Sequence, residues 1–267
     1  MVIAGAASRN QARPEFAITC ITSDSRASAL NELYRAYQLR PGDPNVLTEL
    51  CRFAYTAGID VDKYVRELVA IDPLTPVTWC VVQYNHLMNG RFEESVTAAR
   101  RVSQLTPDGS PARIFGLIGL AMAGQRDEAI ALADLVGKHL SGTLHGSWAL
   151  FFRHALAGDA DRSSAEMNPL LERGASLVEE VSYSVAVSYS LIDYIDDALK
   201  WIRLATKLGF INYPFLATYD PLLANVRSDP RFTELMREVR KRWELLGQSL
   251  PEPLKLQSYI ERGVTAD

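Results

Sequence analysis

The sequence predicts an all-α fold: a right-handed superhelical solenoid of antiparallel helix hairpins, ending in a C-terminal capping helix. Three observations predict it. Gly58, Gly90, Gly124 and Gly158 are spaced by 32, 34 and 34 residues. Pro41, Pro73 and Pro107 keep step at 32 and 34, with Ser141 in the next slot. Between these markers apolar residues recur at spacings of three and four, the pattern of a helix that buries one face. A fixed period of this size marks small units that bury their apolar faces only against one another. The expected molecule is an elongated array, suited to binding rather than to enclosing a reactive centre.

In chain order, residues 1–12 are expected to be disordered, as unanchored termini are. Phe16, Ala17 and Cys20 read as a degraded first helix, and Ala29, Leu33 and Ala36 as its second. The unit from Pro41 to Pro73 is two residues short, and the gap fits best between Gly58 and Val61. From Pro73 to Pro107 the grammar is clearest: Trp79, Val82 and Leu87 make one helix, Asn89-Gly90 breaks it, and Phe92, Val96, Ala99 and Val102 make the next. Glycine stops a helix by adopting the left-handed conformation, and Pro107 ends the second helix because it cannot continue one. Gly116, Leu117 and Leu120 close at Ala123-Gly124, and Asp127 opens a helix carrying Ala129, Leu132, Ala133 and Val136. Trp148, Leu150 and Phe151 then run to Ala157-Gly158. Asn168-Pro169 falls where a second helix belongs and reads as a cap with a new start, so a split helix is expected. Val185, Ala186 and Tyr189 lead to Asp193, which tolerates the left-handed turn better than most residues. Ala198, Ile202 and Ala205 follow. Ser228-Asp229-Pro230 starts a last helix whose stripe is Phe232, Leu235, Met236, Val239, Trp243 and Leu246.

Trp79, the Gly90 turn, Phe92, the alanine-rich second helix and Pro107 together resemble the tetratricopeptide repeat, a helix-turn-helix of 34 residues. The resemblance covers roughly residues 25–212 and is strongest over 73–141 and 182–209. Residues 13–212 divide into about five to six such hairpins, 213–247 form a closing segment and capping helix, and 248–267 form a tail. The stretch Gly209-Phe-Ile-Asn-Tyr-Pro-Phe-Leu216, with Asp220-Pro-Leu-Leu223 and Ser228-Asp-Pro-Arg-Phe232, is similar to the closing part of tetratricopeptide regions in bacterial multidomain signalling proteins. Those regions accompany a serine/threonine kinase, an adenylate cyclase or a winged-helix regulator. The resemblance implies a non-catalytic scaffold that binds a peptide or partner helix along its concave face. It also leaves open the regulatory arm of a kinase or cyclase on the same or a neighbouring chain.

Composition narrows the classes. The chain has 48% apolar and 22% charged residues, a net charge of -4 and an isoelectric point near 5.7. That supplies no basic field for nucleic acid. Cys20, Cys51 and Cys80 lack metal-ligand spacing and read as buried thiols of a reducing, cytoplasmic setting. The longest apolar run, Phe115 to Gly124, is about half of the ~20 residues a membrane crossing needs. No cofactor and no metal is expected.

Each candidate site competes with a packing role. The glycines Gly116, Gly119 and Gly124 lack the Gly-Lys-Ser/Thr ending and preceding strand of a phosphate loop. His139, His145 and His154 lack the i, i+4 spacing of helical metal ligands, and no nucleophile turn surrounds Ser147. Arg237, Arg240, Lys241 and Arg242 alternate with Glu234, Glu238 and Glu244 as a solvated face. Glu93-Glu94 and Glu179-Glu180 read as surface charges complementing helix N-termini. What remains is the concave face. Counting along the first helices places Arg52, Tyr84, Met88, Ile114, Ile118, Trp148, Phe152 and Tyr183 there, with Asn45, Asn85 and Arg113 as nearby polar groups. The largely apolar lining argues against a carboxylate clamp. It fits mutual packing under tight curvature, a groove for an amphipathic partner helix, or a plug made by the chain's own tail at Leu250, Leu254, Leu256, Tyr259 and Ile260.

Overall fold

The computed structural model describes residues 23–254. The expectations for residues 1–12, for Phe16, Ala17 and Cys20, and for Leu256, Tyr259 and Ile260 lie outside the described residues. Among the described residues the regular structure is helical, with no strand. A leading helix α1 (Ser23–Leu39) precedes three regular hairpins: α2 (Pro44–Tyr55) with α3 (Asp62–Ile71), α4 (Pro76–Met88) with α5 (Phe92–Leu105), and α6 (Phe115–Met122) with α7 (Arg126–His139). Next, α8 (Leu144–Leu156) is followed by two short helices, α9 (Ala160–Ala165) and α10 (Pro169–Ala175). The last hairpin is α11 (Glu179–Leu191) with α12 (Ile195–Leu208). A closing segment then carries the short helix α13 (Ala224–Arg227) and leads to α14 (Pro230–Ser249).

The hairpin turns share one geometry. Gly58, Gly90, Gly124 and Gly158 have φ of 70°, 72°, 75° and 75°, and Asp193 takes the same place with φ 60°. In each turn the amide after this residue reaches back to a carbonyl five positions earlier: Ile59 to Ala54, Arg91 to His86, Gln125 to Leu120, Asp159 to His154 and Tyr194 to Tyr189, at 2.9–3.0 Å. These bonds satisfy carbonyls that the helix end leaves unpaired. The split second helix also forms where the sequence puts it. The Asn168 side chain accepts from the amides of Leu170 and Leu171 at 3.0 and 3.1 Å, with Pro169 in the first helical position.

The expectation of an elongated array needs correction. Gly209, at φ 120°, turns the chain away from α12 and back toward the first hairpin. The amides of Ile211 and Asn212 both donate to the Thr56 carbonyl at 3.0 Å. The Asn212 side-chain amide donates to the carbonyls of Tyr55 and Met88 at 3.0 and 3.2 Å, which are the C-terminal ends of α2 and α4. At the far end α14 packs on α1, and Asn31 donates to the Ser249 carbonyl. The first and last parts of the array therefore meet. The cause lies in the closing segment, which is too apolar to remain at a free end: Phe210, Ile211, Phe215, Leu216, Leu223 and Val226 are all buried.

Candidate functional site

The same segment decides the state of the predicted concave face. Tyr84, Met88, Ile114, Ile118, Trp148, Phe152 and Tyr183 are buried, none more than 4% exposed. They are core, and the expectation of an open groove along them is not met. The first helices of four successive hairpins do share an aromatic ladder. Ring centroids of Tyr55 and Tyr84 lie 5.6 Å apart, Tyr84 and Phe115 5.4 Å, and Phe115 and Trp148 6.2 Å. Opposite, Tyr183 stacks on Phe210 at 4.6 Å and touches Phe215 at 5.8 Å. Its hydroxyl donates to Asp220 at 2.6 Å. Burial pushes the Asp220 carboxyl up to about 6, against the hydrogen bonds from Tyr183 and the Leu222 amide that pull it down. Leu250 and Leu254 of the tail are buried as well.

A magnitude separates the three readings of this face. Burying one Phe, Ile or Leu side chain is worth about 1.5–3 kcal/mol. Phe210, Ile211, Phe215 and Leu216 together thus hold roughly 6–12 kcal/mol, comparable to the about 5–15 kcal/mol that stabilises a whole domain. A partner of micromolar affinity supplies about 8 kcal/mol in total. Packing of the array on its own closing segment wins.

Arg52 is the predicted site residue that retains exposure, at 33% of its side chain. It belongs to a charged cluster where the ends of the array meet. Arg26 of α1, buried, donates to the Phe53 carbonyl, to Thr56 Oγ1 and to Glu179 Oε1 at 2.8, 2.6 and 2.8 Å. Arg52 Nη1 lies 3.7 Å from Glu180 Oε1, while its Nε and Nη2 donate to Glu49 at 3.2 Å. Burial works against the Arg52 charge, but Glu180 and Glu49 outweigh it and hold the guanidinium above its ordinary value. Glu179 and Glu180 are thus not the surface charges that their place on the first turn of α11 suggested. Glu180 is 8% exposed. By contrast Glu93 and Glu94 are exposed.

The other candidates serve structure. Arg113 donates to the carbonyls of Ser103 and Thr106, Asn85 donates to Asp62, and Asn45 is exposed. A Cβ on Gly119 would sit 2.9 Å from Ser95 Oγ, so close helix approach accounts for that glycine. His139 is exposed, with Nδ1 2.9 Å from the Leu135 carbonyl. Burial lowers the His145 pKa, and His154 Nδ1 lies 3.4 Å from Arg153. Among the described residues no group of three His, Cys, Asp or Glu side chains is placed to hold a metal ion. Likewise no described helix is long and apolar enough to cross a membrane. Arg240 pairs with Glu244 at 2.9 Å and Arg237 with Glu234, as a solvated face does. On the outer layer an apolar groove runs between α5 and α7, lined by Val96, Ala99, Leu120, Ala131, Leu132 and Leu135. The Arg100–Glu128 ion pair, at 2.9 Å, lies at the same groove.

Sequence reasoning missed Arg26, Asn212 and the ladder partners Tyr55 and Phe115. The ladder spacings of 29, 31 and 33 residues drift against the repeat, which hid them.

Neither a family model nor a curated protein sequence matches the chain. Among solved structures, a chain in the crystal structure of the APC/C hetero-tetramer Cut9–Hcn1 is similar in fold, with a TM-score of 0.52 and 17% identity. The match covers 87% of this chain and 45% of that one, so the chain spans under half the length of its structural neighbour. At this identity the likeness concerns the fold, an α-solenoid of tetratricopeptide-like hairpins.

Proposed function

We propose that the chain is a non-catalytic protein-interaction scaffold that docks a protein or peptide partner on its outer layer. One observation carries the reading: the inner face is filled by the chain's own closing segment, while the α5–α7 groove is apolar and bordered by opposite charges. An amphipathic partner helix fits such a groove, apolar side chains seated between the helices and charges meeting the rim. The fold likeness to a subunit of a multiprotein assembly supports the same class of role. Affinity purification from the native host, followed by mass spectrometry, tests it with three baits: the native chain, Ala131→Arg and Arg100→Glu. Both altered positions are exposed, and circular dichroism of each bait checks that the fold is retained. A partner captured by the native chain and lost from Ala131→Arg supports the groove, and a partner held equally by all three baits overturns it.

A second reading makes the chain the regulatory arm of a serine/threonine kinase or adenylate cyclase. The closing segment from Gly209 to Phe232 favours it through its resemblance to bacterial signalling proteins. Co-purification of such a catalytic domain would support this reading, and partners drawn solely from other classes would count against it.

A further inference from the structure

The seam that joins the ends of the array carries a buried acid in an unusual position. Glu180 lies on the first turn of α11, 8% exposed, and is the acid partner of Arg52 across the seam at 3.7 Å. Its neighbour Glu179 takes the short, 2.8 Å bond from Arg26. The groups that bear on Glu180 are Arg26 from α1, Arg52 and Tyr55 from α2, Tyr84 from α4, and on its own helix Glu179 and the Glu180 backbone amide, which donates to the carboxyl. The Tyr84 hydroxyl is buried without a hydrogen-bond partner. Two arginines thus face three carboxylates: Arg26 is taken by Glu179 and Arg52 by Glu49 at 3.2 Å, which leaves Glu180 at the longer distance, beside Tyr55 and Tyr84. An ionised carboxylate is costly in such a place unless it is fully hydrogen-bonded.

We propose that Glu180 is a proton-operated latch: in mildly acid solution the closed seam holds it protonated, and opening the seam releases that proton to solvent. Burial foremost, with the adjacent Glu179 charge adding to it, raises the Glu180 carboxyl from 4.5 to about 7, while Arg52 and Arg26 pull the other way. The sign follows from linkage. A carboxyl whose closed-state value lies above its open-state value binds more protons when closed. Closure is therefore tightest at acid pH, weakens as pH rises from about 4.5 to about 7, and changes no further above that. Asp220, in the same closing segment, is raised from 3.8 to about 6, so its contribution lies mainly below pH 6. The interval from pH 6 to pH 7 belongs chiefly to Glu180.

Two amides report seam opening directly, because Ile211 and Asn212 both donate to the Thr56 carbonyl across it. Hydrogen exchange on the full chain, corrected for intrinsic amide rates, tests the latch. In the native chain the protection of these amides falls roughly tenfold between pH 6 and pH 7, about fivefold of it from Glu180 and about twofold from Asp220, and changes little above that. Glu180→Gln, a near-isosteric neutral side chain, limits the change to about twofold, the residue left by Asp220. Equal pH profiles in the native chain and Glu180→Gln would overturn the proposal. Should the variant not fold, the native chain alone decides. Amides in the middle of α7 are expected to lack the pH 6–7 fall, and an identical fall there would overturn the latch.

Discussion

Helices α7 and α11 have nearly the same length, 14 and 13 residues, but α7 is the second helix of its hairpin and α11 the first of its own, and their surroundings differ completely. In α7 the buried residues are Ala129, Ala133, Val136 and Gly137, one narrow stripe under an otherwise accessible helix. In α11 every residue from Glu180 to Ser190 is buried. Its interior serines are hydrogen-bonded: Ser184 and Ser188 donate to carbonyls one turn back, at 2.7 and 2.9 Å, and Ser182 and Ser190 to Trp201 and Leu222, at 3.2 and 2.9 Å. Small hydroxyls can line a crowded helix because each finds a nearby carbonyl. The difference teaches that a repeat's local rules set its turns, whereas its place in the array sets its burial. α11 is core because α12, α8 and α10 pack on it and the closing segment folds back over the remaining side.

The largest effect should come from removing that cover. Phe215→Ala is expected to cost about 3–5 kcal/mol in urea unfolding, whereas Leu245→Ala, on the outer face of α14, should stay within about 0.5 kcal/mol. Equal losses would dissolve the contrast between inner and outer faces. A sharper version uses two turn glycines with almost the same backbone. Gly58→Ala and Gly124→Ala share the left-handed penalty of about 1–2 kcal/mol. At Gly58 the added Cβ also meets Asn212 Oδ1 at 2.8 Å and Trp243 Nε1 at 2.9 Å, while at Gly124 nothing lies within 4 Å. Gly58→Ala should therefore be worse than Gly124→Ala by about 1 kcal/mol or more, read from paired melting curves.

Asn212→Ala isolates the polar part of the closure. It leaves the Tyr55 and Met88 carbonyls without the side-chain amide and should cost about 1–3 kcal/mol. The smallest expected effect is at the one turn closed by an aspartate. Asp193 is exposed with φ 60°, so Asp193→Gly should relieve strain and change stability by less than about 1 kcal/mol, toward greater stability. A clear loss would mean that the Asp193 side chain itself supports the turn.

Much of this was legible in the sequence, for a physical reason. A left-handed glycine, a proline at a helix start and an asparagine cap act within a few residues, so Gly90, Pro230 and Asn168 announce their structures locally. The Phe232–Leu246 stripe of α14 was legible in the same way. The ring-like closure was not. Arg26 and Glu179 are separated by 153 residues, and Asn212 and Tyr55 by 157, distances over which no periodicity speaks. Glu180 misled because a glutamate on a first helical turn is ordinarily a solvated one. Arg52, Tyr84, Met88, Ile118, Trp148, Phe152 and Tyr183 lie on first helices and Ile114 in the turn just before α6, but what fills the space they face lies in another part of the chain.

The most direct test of closure is a double-mutant cycle between Arg26→Met and Glu179→Gln, measured by urea unfolding. Residues in contact couple by about 0.5–3 kcal/mol, whereas distant ones add to within about 0.3–0.5 kcal/mol. An array whose ends meet predicts coupling of 1 kcal/mol or more, at about the middle of that range. Simple additivity would mean that the ends do not touch in solution, and that the inner face is open after all.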